Sequence, residues 1–96
     1  MSLLELLRRL KDEIYRIAGE HNAEKVFVFG SCARNMETPD SDIDLLIEFN
    51  QAATLFDQLD IQEEMHSLLN CKVDVVSKRG LHPYLRRQVL AEAVEL

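Results

Sequence analysis

GSCARNMETPDSDIDLLIEF, residues 30–49, is the stretch whose reading decides the fold. It opens on Gly30-Ser31, directly after the β-branched and aromatic run Lys25 to Phe29, which reads as a buried strand. A polar passage, Asn35 to Ser41, follows. Within it Thr38-Pro39-Asp40-Ser41 is a turn cluster, Asn35 tolerates a left-handed conformation, and Cys32-Ala33-Arg34 suits a short helical turn. Asp42 to Phe49 then enters a strongly apolar strand. Side chains alternate across a strand, so Asp42 and Asp44 share one face with Leu46.

Helical periods flank this unit. Leu3, Leu6, Leu7, Leu10, Ile14 and Ile17 predict a helix over 2–18, with Ser2 and Glu5 spaced as a capping box and Gly19, His21 and Asn22 closing it. Leu55, Leu59, Met65, Leu68 and Leu69 predict a second helix over 54–69, stopped by Asn70. Val73 to Val76 reads as a third strand with one acid, Asp74, in its middle. After a loop at Ser77 to Leu81, Pro83 introduces a last helix whose stripe is Leu85, Val89, Leu90, Ala93 and Val94. Strands and helices interleaved in this way imply an α/β (α+β) fold, a small mixed sheet of about three strands flanked by helices. With 96 residues, a single domain over 1–96 is expected.

The acids carry the chemistry. Alternate residues on a strand lie about 6.5–7 Å apart, close enough for both carboxylates to reach one hard cation. Mg²⁺ takes oxygen ligands and keeps several waters, so two aspartates plus the phosphates of a nucleoside triphosphate suit it. Asp74, if its strand lies beside that of Asp44, would complete a two-metal site with ions about 3.5–4 Å apart. Gly30 lets backbone approach a phosphate, the Ser31 hydroxyl can donate to it, and Arg34 adds charge against departing pyrophosphate. An Asp-x-Asp alone arises by chance in about one chain in four, whereas Gly-Ser at a fixed upstream offset lowers this to roughly one in a thousand. Turn formation alone would account for Gly30, Ser31 and Asp42. It does not account for Asp44 and Asp74, because a carboxylate among Ile, Leu and Val is costly without a partner or cation.

Composition narrows the partners. A formal charge of −6 argues against tracking an extended nucleic-acid backbone, which requires clustered Lys and Arg. No apolar run is long enough for a membrane span, and the N-terminal MSLLELLRRL lacks the form of a secretory signal, so a cytoplasmic protein is expected. Cys32 and Cys71 are far apart with no metal-binding spacing and read as thiols. His21, His66 and His82 are scattered and read as surface or capping residues. Lys78, Arg79, Arg86 and Arg87 form a modest basic cluster that could face a partner, nucleotide phosphates or solvent, with a solvated face as the default.

The Gly-Ser, ten intervening residues and Asp-x-Asp of this stretch resemble the motif of the DNA polymerase beta-like nucleotidyltransferase superfamily. The short chain and the segment KVDVVSKRGLHPYLRRQVLAEAVEL resemble its minimal, MNT-type members, encoded beside HEPN-domain toxins. The resemblance implies ATP or another nucleoside triphosphate as donor, held by Gly30 and Ser31, and Mg²⁺ held by Asp42, Asp44 and Asp74. It further implies an antitoxin that adenylylates a tyrosine of a HEPN partner. Asn35 stands where relatives commonly carry Gly, a change that keeps access to positive φ. Two other readings stay open: neutralisation of the partner by docking alone, and nucleotidyl transfer to a small molecule or RNA end. A chain this short is expected to receive its acceptor from a partner or a homodimer interface.

Overall fold

The structure, a computed structural model, describes residues 2–34, 36 and 42–96. The expected turn at Thr38 to Ser41 and the left-handed Asn35 lie outside the described residues. In chain order the elements are α1 (Leu3–Arg9), α2 (Lys11–Glu20), β1 (Ala23–Phe29), α3 (Gly30–Ala33), β2 (Ile43–Phe49), α4 (Leu55–Leu69), β3 (Val73–Ser77), a 3₁₀ turn (Lys78–Gly80), α5 (Pro83–Glu92) and β4 (Val94–Glu95).

The sheet has the order β3-β2-β1-β4, with β2 and β3 parallel and the pairs β1/β2 and β1/β4 antiparallel. It is mixed, as expected, but has four strands rather than about three. The fourth is the end of the segment expected to be helical. α5 stops at Glu92, and Val94 and Glu95 turn back to pair with Val28 and Phe27. Only long-range pairing makes two residues into a strand, so local periodicity could not reveal it. The pairing is secured by Leu96, whose N–H donates to Val26 O at 3.0 Å, and by the Tyr15 hydroxyl, 3.0 Å from Leu96 O.

The expected N-terminal helix is bent rather than straight. Leu10 separates α1 from α2, yet the i to i−4 bonds Leu10 N to Leu6 O and Ile14 N to Leu10 O run through it at 3.0 and 2.9 Å. Ser2 caps the start by accepting from Glu5 N. Gly19 lies inside α2, and the left-handed residue after the helix is Asn22, φ 62°.

α1, α2 and α4 cover one face of the sheet. Leu4, Leu7, Ile14, Ile17 and Ala18 from the first two, with Ile61 and Met65 from α4, bury against Val26, Val28, Ile43, Leu45, Ile47, Val73 and Val75. Each fully buried aliphatic side chain contributes about 1.5–3 kcal/mol. The odd-numbered residues of β2 therefore face the core, which turns Asp42, Asp44 and Leu46 to the opposite face. The expected α4 stripe holds at Met65, Leu68 and Leu69 but not at its start, and the expected α5 stripe is not buried within the helix. In α4, Leu55 and Leu59 are exposed while Ile61 takes the core position, and α5 buries none of its residues.

Candidate active site

Antiparallel pairing brings Gly30 to Asp44. β1 ends at Phe29, whose partner across the β1/β2 ladder is Asp44. β2 runs antiparallel to β1 with Phe29 opposite Asp44, so Gly30, one residue past Phe29, comes to rest beside the Asp44 side chain. Gly30 has φ 72°, and a Cβ built on it would meet Asp44 Oδ2 at 2.6 Å. Glycine is thus required twice, by its left-handed backbone and by the carboxylate packed against it. The second reason is invisible in sequence.

Parallel pairing supplies the third acid. Asp74 is the register partner of Asp44, and Ile43 that of Val73, so the two carboxylates stand on adjacent strands on the same face. Asp42 lies one residue before β2, where Lys72 Nζ approaches its Oδ2 to 3.5 Å. All three aspartates are half-buried. Burial, then the charge of Asp74, then that of Asp42, raises the Asp44 carboxyl above its ordinary value. The three acids therefore oppose one another in charge on one face, although their ligand oxygens do not all come within 4.8 Å of one another as the Glu20, His21 and Glu64 ligand atoms do.

The short α3 starts at Gly30 and leaves the Ser31 side chain half-exposed at the same corner. Ser31 O anchors the turn by accepting from Arg34 N at 3.2 Å and Met36 N at 2.9 Å. Arg34, expected to add charge against pyrophosphate, pairs with Glu92 of α5 at 3.5 Å. That contact links α5 to the site and is a competitor for any phosphate.

The remaining candidates lie elsewhere. His66 Nδ1 is 2.7 Å from Cys71 O, and His82 caps α5 by accepting from Tyr84 N. Cys32 is buried and Cys71 half-buried, with no disulfide between them. Arg79 and Arg86 are exposed and Lys78 is half-buried. They line a cavity of about 210 Å³ with Glu48 and Phe49, at the other end of β2 from Asp44. The sequence reading grouped these basic residues, and the fold adds Glu48 and Phe49 of β2 to them.

Residues 7–96 match the family described as the nucleotidyltransferase domain. A protein of Methanocaldococcus jannaschii provisionally named a protein adenylyltransferase is 34% identical over 94% of this chain and 97% of its own. A solved structure described as a minimal nucleotidyltransferase superposes with a TM-score of 0.88 at 44% identity, covering 100% of this chain and 97% of that one. Two toxin–antitoxin complexes share the fold. One, with AMP-PNP, has a TM-score of 0.76 at 20% identity, covering 88% of this chain and 70% of that one. The other joins a tri-AMPylated Shewanella oneidensis HEPN toxin to an MNT antitoxin, with a TM-score of 0.69 at 18% identity, covering 92% of this chain and 69% of that one.

Proposed function

Since this chain belongs to the nucleotidyltransferase domain family and is an enzyme of that class, we propose that it is an ATP-dependent protein adenylyltransferase acting as the antitoxin of a HEPN-domain partner, with residues 1–96 forming a single catalytic domain. The observation that carries the reading is the pairing of Asp44 with Asp74 across two parallel strands, beside Gly30. The relative's name supports protein as acceptor, and the complexes with AMP-PNP and with an AMPylated HEPN toxin support the donor and the partner.

Asp42, Asp44 and Asp74 would hold Mg²⁺, two ions in the full site. When bound, Mg²⁺ neutralises phosphate charge and eases departure of pyrophosphate. The chain's own groups do the rest. The Gly30 backbone and the Ser31 hydroxyl hold the triphosphate, keeping the α-phosphorus in line with the acceptor. Asp74 accepts the proton as a tyrosine hydroxyl oxygen bonds to the α-phosphorus and the bond to the β-phosphate bridging oxygen breaks. The products are an AMP-tyrosine phosphodiester and pyrophosphate. Exposed Leu55, Phe56 and Leu59 on α4 and Tyr84 and Leu85 on α5 offer apolar surface to a macromolecular acceptor.

Intact-mass analysis of a co-expressed HEPN partner, with α-labelled ATP and Mg²⁺, tests this. Added AMP units are expected with the native chain and none with Asp42→Asn/Asp44→Asn. Equal labelling by the double variant would reject the reading. Protection of cells by that variant, with no labelling by the native chain, would favour neutralisation by docking instead.

A further inference from the structure

At the end of β1 away from Gly30, the C-terminus of α2 meets α4. His21 closes α2, and its side chain is only 19% exposed. Carboxylates surround it. Its Nε2 contacts Glu64 Oε2, and its Nδ1 lies 3.9 Å from Asp57 Oδ1 and 4.0 Å from Asp60 Oδ2. One ligand atom from each of Glu20, His21 and Glu64 lies within 4.8 Å of the other two. We propose that Glu20, His21 and Glu64 bind a first-row divalent cation of the zinc class, at a site separate from the three aspartates.

Donor chemistry is the first argument. An imidazole nitrogen at the centre of the cluster distinguishes it from an acidic patch, because nitrogen with two carboxylate oxygens suits Zn²⁺, Co²⁺ or Ni²⁺ better than Mg²⁺. Three protein ligands leave room for water in a fourth position.

Charge is the second. Four carboxylates, Glu20, Asp57, Asp60 and Glu64, are gathered here, and Arg16 offsets one of them at 3.2 Å from Glu20 Oε1. Even a protonated His21 then leaves two negative charges in excess, which a divalent cation would offset.

Orientation is the third. Metal-binding histidines commonly turn their other ring nitrogen to a carboxylate. Asp57, only 18% exposed, faces that nitrogen. It is fixed by accepting from Thr54 N at 2.9 Å and from Asn22 Nδ2 at 3.3 Å, contacts that also hold its carboxyl below the usual range. The bound cation would fasten the end of α2 to α4. The seven residues of β1, about 23 Å of strand, separate it from Gly30.

The test titrates Zn²⁺ calorimetrically into the untagged full chain carrying Asp42→Asn/Asp44→Asn, which removes the competing acids. One site with a Kd below about 100 μM is expected. His21→Gln and Glu64→Gln, added singly, should each weaken it about tenfold or more. Because such substitutions also alter the helix junction, ring signals of the three histidines are followed by NMR in the parent. Those of His21 should move at one equivalent of Zn²⁺ while those of His66 and His82 stay. Absence of binding in the parent, titrations unchanged by either substitution, or ring shifts confined to His66 or His82 would overturn the proposal.

Discussion

Asp44 concentrates the residue-scale physics. Its carboxyl is raised by burial and by Asp74 and Asp42, so folding disfavours its charged form. The sign follows by linkage. A carboxyl with a raised folded pKa destabilises the native state at every pH above that pKa, and the penalty disappears as pH falls below its unfolded value. Asp44→Asn should therefore be more stable than the native chain to urea at pH 7, with the difference closing towards pH 3. Its transfer activity should drop at least about a hundredfold if the carboxylate holds metal. Gly30→Ala makes the opposite trade. A left-handed alanine costs about 1–2 kcal/mol, and its Cβ would displace the Asp44 carboxylate. Urea denaturation should show that loss, and single-turnover assays should show a fall in the transfer rate rather than in partner binding.

At the scale of elements, the sheet edge depends on one aromatic residue. The Tyr15 hydroxyl accepts from Val26 N at 3.2 Å and donates to Leu96 O at 3.0 Å, joining α2, β1 and the residue after β4. Tyr15→Phe keeps the ring and removes both bonds. A loss of about 1 kcal/mol is expected, with faster amide exchange at Leu96 because its N–H donates to Val26 O in the same edge. The parallel β2/β3 pair is the other decisive element, since a slip of one residue would turn Asp74 into the core and Val73 or Val75 outward.

For the whole molecule, the acids impose a cost that ligand should relieve. A ligand at a hundred times its Kd stabilises the native state by about 2.7 kcal/mol. For a chain of this size that raises the melting midpoint by about 13 °C. Mg²⁺ with a non-hydrolysable ATP analogue should produce such a shift in the native chain and not in Asp42→Asn/Asp44→Asn, measured by differential scanning fluorimetry. Among the described residues no helix is long and apolar enough to cross a membrane. Among the described residues the exposed large apolar side chains are Leu55, Phe56 and Leu59 on α4, Tyr84, Leu85 and Leu90 on α5, and Met36 after α3.

The amino-acid sequence by itself determined most of the local elements and singled out Gly30, Ser31, Asp42, Asp44 and Asp74 as the candidate site. Period-2 and period-3.6 patterning located β1, β2, β3 and α4, and the Gly-Ser to Asp-x-Asp pattern named Gly30 and Asp44, which the antiparallel β1/β2 pair brings together. Tertiary structure decided what depends on residues distant in sequence. It placed Asp74 opposite Asp44, drew Val94 and Glu95 into the sheet, gave the core position of α4 to Ile61 rather than Leu55 or Leu59, and gathered Asp57, Asp60 and Glu64 around His21. Each outcome rests on burial or pairing between separate segments, energies that no local window of sequence contains.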